Sequence, residues 1–487
     1  MATINITDLC FSYDGGEELF SHVSLQIDTR WKLGLIGRNG RGKTTLLKLL
    51  LGEYPCDGKI DSPVPLAYFP YVIRDDSRTT IEIIEEQADF EPWQLERELS
   101  LLDVAEEVLS RPFETLSGGE QTKVLLAALF LNENRFLLLD EPTNHLDSEA
   151  RKIVGDYLSK KSGFILASHD RRLLDRCVDH VLSINRSGIE LVQGNFSTWQ
   201  QNRDYREKFE AAENRRLCRD IRHLKDAAQQ SSDWSRQAEK EKYGHGPVDR
   251  GFLGSKAAKM MKRAKTTEAR RQKAAEEKSK LFQDMEVEEN LSLSPLRFHT
   301  SRLLDLSGIS VRYDHHTLFE NFSLSIRAGD RIALRGRNGS GKSSVLKLIA
   351  GENIPYQGSR TIPASLKISY LPQDASFLRG GMREFLYRRQ LDESRFKTIL
   401  HKLGFSRNDF DHDMSGYSAG QKKKVLLAAS ICEQAHLYLW DEALNYIDVI
   451  SRLQIENLLL EYCPTLVFVE HDLAFLEAVA TRKIELA

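Results

Sequence analysis

A chain of 487 residues, 41% hydrophobic and 29% charged, is long enough for about three domains of ordinary size, so a single small domain is excluded. Thirty glycines and 13 prolines are too few for a collagenous or low-complexity chain, no apolar run approaches the ~18 residues of a membrane helix, and residues 1–10 lack the character of a secretory leader, so the expected location is the cytoplasm. The net charge of −3 argues against a nucleic-acid-coated protein, and six cysteines at least 31 residues apart, with no C-x-x-C pair, suggest neither a zinc site nor a disulfide framework.

The strand-like run 32–36 leads into Gly37-Arg38-Asn39-Gly40-Arg41-Gly42-Lys43-Thr44, and a helix-like run follows from Thr45 to Leu51. That is the strand, loop and helix context of a P-loop. Glycines let backbone N–H groups converge on phosphate oxygens, a lysine neutralises the β and γ charges, and the hydroxyl of Thr44 suits Mg²⁺. Further along, Leu116-Ser117-Gly118-Gly119-Glu120-Gln121 precedes a helix, and 136–141 reads as a buried strand ending in Asp140-Glu141. Ser168-His169-Asp170 comes next.

After residue 200 the composition shifts. Residues 201–280 carry 22 Lys/Arg and 13 Asp/Glu, a local +9, leaving −12 for the rest of the chain. Tyr205, Phe209, Ala212, Ile221, Leu224 and Ala228, then Met260, Ala264, Thr267, Ala274 and Leu281, recur largely at helical steps, predicting two facing helices. Between them, residues 243–254 hold four glycines and a proline, which breaks the helix. The basic pair has two readings, a solvated coiled coil or a phosphate-binding surface. Lys256, Lys259, Lys262, Arg263, Lys265, Arg270, Arg271 and Lys273, offset only by Glu268, favour the second. At the tip, Tyr243, His245, Arg250, Phe252 and Leu253 stand among the glycines, and Phe252 can stack on a base or enter an apolar pocket.

The first half then recurs. Gly336-Arg337-Asn338-Gly339-Ser340-Gly341-Lys342-Ser343-Ser344 follows the first P-loop at an offset of 299, Asp441-Glu442 at 301 and His471 at 302, so residues 1–200 and 301–487 are two copies of one domain flanking a linker at 201–300.

In the order P-loop, Leu-Ser-Gly-Gly-Glu, apolar run with Asp-Glu, and His, both halves resemble the ATPase domain of the ATP-binding-cassette family. The resemblance implies an α/β fold, with two tandem P-loop ATPase domains joined by a long α-helical hairpin, and ATP hydrolysis with Mg²⁺. It assigns Glu141 and Glu442 to polarising the attacking water, His169 and His471 to the γ-phosphate, and Thr44, Asp140, Ser343, Gln373 and Asp441 to Mg²⁺. Tyr13 and Tyr313, about 24 residues ahead of each P-loop, match the aromatic that stacks on adenine, although a strand tyrosine is the plainer reading of either alone. Such cassettes pair head to tail. One composite site would therefore join Lys43, Asp140 and Glu141 to Ser418-Ala419-Gly420-Gln421, and the other Lys342, Asp441 and Glu442 to Ser117-Gly118-Gly119-Glu120.

The sites depart from the family pattern differently. Ala419 replaces a signature glycine, adding a methyl group where the backbone approaches phosphate. Tyr71 stands where the second half keeps Gln373. Both departures fall on site one. In the second half Ala443-Leu444-Asn445-Tyr446-Ile447-Asp448 replaces Pro142-Thr143-Asn144-His145-Leu146-Asp147. Slower hydrolysis at site one, acting as a timer, is the expectation.

With Gly194-Asn195-Phe196-Ser197-Thr198-Trp199 at the entry to the linker, the whole chain resembles the ABC-F family, and its second half the Lsa/Vga-type antibiotic-resistance branch. That resemblance implies a monomer with intramolecular cassette pairing and no membrane partner. It would bind the exit site of the bacterial ribosome, with its tip reaching toward the P-site tRNA and the large-subunit rRNA of the peptidyl-transferase centre. Lincosamides, streptogramin A compounds and pleuromutilins are the drugs that branch clears. The rival readings are a housekeeping ABC-F translation factor, the ATPase subunit of a drug exporter and a genome-maintenance ATPase.

Overall fold

The computed structural model describes residues 2–13, 18–132, 134–143, 146, 148–185, 188–206, 208–209, 212–213, 216, 219, 291–313, 316–337, 339–405 and 408–486. The chain divides into two compact units, residues 1–199 with 290–487, and residues 200–289. The first unit contains both copies of the repeat.

Along the first copy run Thr3–Ser12 (β1), Glu18–Asp28 (β2), Lys32–Gly37 (β3), Lys43–Leu50 (α1), Asp57–Asp61 (β4), Leu66–Phe69 (β5), Thr80–Glu85 (α2), Pro92–Leu101 (α3), Gly118–Phe130 (α4), Phe136–Asp140 (β6), Ser148–Ser159 (α5), Phe164–Ala167 (β7), Arg171–Cys177 (α6), His180–Asn185 (β8) and Gly188–Gln193 (β9). The order β5-β6-β7-β3-β8-β9 makes a sheet that is parallel except for β9, and β2-β1-β4 makes a small antiparallel sheet. β6 (Phe-Leu-Leu-Leu-Asp), up to its terminal Asp140, and β7 (Phe-Ile-Leu-Ala) are apolar because both faces of the parallel sheet are covered. In β1, Ile4 and Ile6 are buried and Asn5 between them is not, as expected of a strand with one face on the core.

The second copy repeats the plan with Arg302–Tyr313 (β10), His316–Arg327 (β11), Arg331–Arg335 (β12), Tyr356–Thr361 (β13), Ile368–Leu371 (β14), Leu437–Asp441 (β15), Leu466–Val469 (β16) and Arg482–Glu485 (β17). Its sheets run β14-β15-β16-β12-β17, all parallel, and β11-β10-β13, antiparallel. The P-loop strands β3 and β12 are therefore interior, and the acidic strands β6 and β15 lie two places away. Loops leaving the carboxyl ends of these strands converge at one edge, where ligands of open parallel sheets bind.

One boundary differs from the reading of the sequence. Leu291 and Leu293, placed at the end of the 201–300 linker, are buried in the core of the second copy, where the alternation Leu-Ser-Leu presents both leucines to one side. In the second unit every described residue is helical. The predicted tip residues Tyr243, His245, Arg250, Phe252, Leu253, Lys256 and Lys259, and P-loop residue Asn338, lie outside the described residues.

Candidate functional site

Each P-loop turns into its helix through a glycine. Gly42 has φ 88° and Gly341 φ 90°, the left-handed region that penalises any Cβ. A Cβ would also crowd its neighbours, lying 2.7 Å from Leu19 Cδ2 on Gly42 and 2.8 Å from the Phe319 ring on Gly341, so those side chains would have to shift. The lysine that follows folds back over the loop. Lys43 Nζ donates to Gly37 O at 2.8 Å, and Lys342 Nζ to Gly336 O at 2.8 Å and Arg337 O at 2.7 Å. Beside the first loop, Tyr13 is half-exposed and its hydroxyl pairs with Thr45 Oγ1 at 2.8 Å, its ring edge-on to Phe11. Tyr313 is likewise partly exposed at the end of β10.

The acids at the ends of β6 and β15 differ in company. Asp140 Oδ2 accepts from Thr44 Oγ1 at 2.7 Å and from the Tyr68 hydroxyl at 3.0 Å. Asp441 is fully buried, and neither carboxylate oxygen has a hydrogen-bond partner among the described residues. Burial pushes its pKa up; the Ser343 hydroxyl nearby favours the ionised form without reaching hydrogen-bond geometry. A buried carboxylate with free lone pairs beside a P-loop serine fits a hard divalent cation such as Mg²⁺.

The glutamates that follow, Glu141 at φ 50° and Glu442 at φ 49°, adopt a left-handed conformation costing about 1–2 kcal/mol for a side-chain-bearing residue. The same cost is accepted in both copies, as expected of strain held at a working site. Their surroundings diverge. Glu442 Oε2 accepts from Gln373 Nε2 at 3.0 Å and Asn445 Nδ2 at 2.7 Å, and Oε1 lies 3.3 Å from His471 Nε2. Burial opposes its ionisation, but His471, Lys423 and Gln373 together hold it below the usual carboxylate range. Glu141 Oε1 is 3.2 Å from His169 Nε2 without hydrogen-bond alignment. Burial pushes Glu141 up to about 7, with Lys43 only partly offsetting it, and burial and the nearby cations drive His169 well below its ordinary value. Tyr71, where a glutamine would stand, buries its hydroxyl with no partner among the described residues.

Both signatures are capped helix starts. Ser117 Oγ accepts from Glu120 N and Glu120 Oε2 from Ser117 N; Ser418 and Gln421 do the same at the head of the helix Ala419–Cys432. Their first-turn N–H groups suit an anion. A Cβ placed on Gly118 would meet nothing within 4 Å, so the Ala419 methyl at the equivalent position needs no rearrangement of protein.

The copies face each other. Asn39 of the first P-loop donates from Nδ2 to Tyr446 O at 2.6 Å and from its backbone to Asp448 Oδ2 at 3.3 Å, while Arg38 Nη1 reaches Lys402 O at 3.3 Å. Around the second P-loop, a cleft of about 650 Å³ is lined by Gly339, Lys342, Ser343, Gln373, Glu442 and His471 of its own copy and by Leu146, Arg151 and His169 of the other. Arg452 ties the two together, donating to Leu444 O, Ile447 O and, across the interface, His169 O at 3.2 Å. Arg151 was not singled out in the sequence, and Tyr446, Asp448 and Arg452 entered it only as parts of the altered stretch after the second acid pair. Arg151 and Arg452 share the offset of 301 that links the two Asp-Glu pairs, and that was the available signal.

Comparison with known proteins agrees with this geometry. The family described as "ABC transporter" matches residues 20–144 and 319–445, just over half the chain. The ribosome protection protein VmlR of Bacillus subtilis is 28% identical over 96% of this chain and 84% of its own length. The ATP-binding protein Uup of Caulobacter vibrioides is 28% identical over 97% of this chain and 75% of its own. Among solved structures, archaeal ABCE1 in complex with a ribosomal stalk protein superposes with a TM-score of 0.62 at 20% identity, covering 98% of this chain and 87% of that one, and so shares the tandem fold. Among the described residues no helix is long and apolar enough to cross a membrane. The chain belongs to the ABC ATPase family: it carries two ATP-binding cassettes in tandem and hydrolyses ATP.

Proposed function

We propose that this protein is an ABC-F ATPase that protects bacterial ribosomes from drugs of the peptidyl-transferase centre, of the lincosamide, streptogramin A and pleuromutilin classes. The observation that carries this reading is the match to VmlR, named as a ribosome protection protein, along 96% of the chain, linker included. The basic linker supports it, since Lys256, Lys259 and their neighbours suit an rRNA or tRNA backbone and Phe252 and Leu253 suit an apolar or stacking contact at its tip. Relatives named only as ATP-binding proteins match at the same 28% identity, which keeps a drug-independent translation factor as the second reading.

At each site the P-loop residues, Gly37 to Thr45 and Gly336 to Ser344, would hold the phosphates, and Tyr13 and Tyr313 the adenine. The opposite signature, Ser418 to Gln421 or Ser117 to Glu120, would close over the γ-phosphate. Thr44 and Asp140, and Ser343, Gln373 and Asp441, would hold Mg²⁺, which when bound neutralises charge on the β and γ oxygens. Glu442, ionised and held by Gln373, Asn445 and His471, orients the attacking water at site two. Glu141, whose ionisation burial opposes and which lacks the side-chain amide contacts of Glu442, does so less often, which makes site one the slower.

The test is bacterial cell-free translation stalled by a pleuromutilin or a lincosamide, with purified protein and ATP titrated in. Restored synthesis is expected, and with no membrane present it excludes export. No rescue by a preparation with active ATPase overturns protection from these drugs and leaves the translation-factor reading.

A further inference from the structure

Lys423 is a buried lysine, 3% exposed, in the first turns of the helix Ala419–Cys432 behind the second signature. Its Nζ donates to Pro372 O at 2.9 Å, Gln373 O at 3.1 Å and Asp441 O at 2.9 Å. Three carbonyl acceptors call for three N–H donors on one nitrogen, which only the ammonium form supplies. Desolvation works against that charge, and Glu470, Asp441 and Glu442 work for it.

The acceptors belong to two separate segments, the loop after β14 that carries Gln373 and the end of β15 that carries Asp441 and Glu442. Gln373 is also the residue whose amide reaches Glu442, at 3.0 Å. The ammonium thus fastens backbone to backbone beneath the side-chain contact between the same two segments. In the first copy all three features are replaced together. Thr122 stands at the lysine position, with its hydroxyl on Gly118 O of its own helix at 2.9 Å; Tyr71 stands for Gln373; and Ser168 stands for buried Glu470. The fastening occurs where there is a glutamine to hold and is missing where there is none.

We infer that Lys423 is a positioning residue of the second ATP site, where its ammonium pins the Gln373 loop to β15 so that the Gln373 amide stays on the Glu442 carboxylate. The inference rests on the reading of Glu442 as the residue that orients water at that site. Lys423 touches no nucleotide-facing group, so its influence on turnover passes through Gln373 and Glu442.

Steady-state ATPase of the full chain separates the possibilities. Lys423→Met keeps the length and removes the donors; kcat should fall by about tenfold or more, the scale of a misplaced reacting group, while KM for ATP stays within about twofold. Gln373→Ala should lose a similar factor, and the double variant no more than the worse single one, because both remove one contact. Losses that multiply in the double variant, or an unchanged kcat in Lys423→Met, overturn the inference. Glu442→Gln is run alongside: if it leaves turnover intact, it is the site-two reading that fails. Should Lys423→Met not fold, Lys423→Gln, which keeps part of the donor set, carries the same comparison, with an intermediate kcat expected and a wild-type kcat overturning.

Discussion

Glu141 and Glu442 occupy equivalent places at the ends of equivalent strands, yet only one is held by an amide pair and a histidine. The difference makes the two sites separable by pH. In Glu442→Gln the remaining turnover belongs to site one, whose glutamate is pushed up to about 7 by burial. Its ionised fraction climbs from about a tenth at pH 6 to about nine tenths at pH 8, and the rate should climb with it. In Glu141→Gln the remaining turnover belongs to Glu442, held below the usual carboxylate range, and should be flat over the same interval. Single-turnover hydrolysis of both variants from pH 6 to 8 checks this, and parallel profiles would remove the asymmetry. The identity of these glutamates was legible in the sequence, because an acid pair after an apolar run is a local pattern. Their unequal ionisation was not, since it is set by burial and by Gln373, His471 and Lys423, which arrive from three other segments.

Among the elements, the start of a helix shows which motif glycines are needed as glycines. Gly42 combines a left-handed backbone with Leu19 and Phe20 packed where its Cβ would go, so Gly42→Ala should cost about 2 kcal/mol or more from strain and displaced side chains. Gly118 has ordinary backbone and open space, so Gly118→Ala should be neutral or slightly stabilising, alanine being the better helix former by up to ~1 kcal/mol. Urea midpoints of the two variants decide it; an equal loss in both would mean that α1 and α4 start under the same constraint. The sequence expectation for Ala419 concerned the approach of backbone to phosphate rather than the fold; within the protein itself the open space at the equivalent Gly118 accommodates the methyl. The P-loop strands and the acidic strand β6, by contrast, could be read in advance, because a buried parallel strand announces itself as an apolar run and the repeat supplies the P-loop and acid-pair assignments twice. The linker boundary could not, since a Leu-Ser-Leu stretch looks the same in a linker and on a core.

For the molecule as a whole, the question is what keeps one cassette against the other. Val449 and Ile450, at the start of the helix Val449–Tyr462, are buried in the core of the first cassette, giving the contact an apolar centre. Around it lie two ion pairs of unequal worth. Arg172 and Glu477 are about half-exposed, and such a pair contributes roughly 0.2–1 kcal/mol that salt erodes. Arg171 Nη2 meets Glu456 Oε2 at 2.7 Å with both side chains largely buried, and Asp472 stands 3.7 Å away as a second anion. Removing one partner of a buried pair leaves the other charge desolvated, a larger loss than the pair's own attraction, though Asp472 retains part of the compensation here. Glu456→Gln should therefore weaken cassette closure by about 1.4 kcal/mol, and because ATP binding and closure are linked, the ATP concentration for half-maximal hydrolysis should rise about tenfold. Arg172→Ala should shift it by less than about fivefold, and the wild-type shift with added salt should resemble the loss of that outer pair alone. A Glu456→Gln variant that lowers kcat at unchanged half-saturation would instead assign the inner pair to the geometry of the His169 loop, which Arg452 contacts from the same helix.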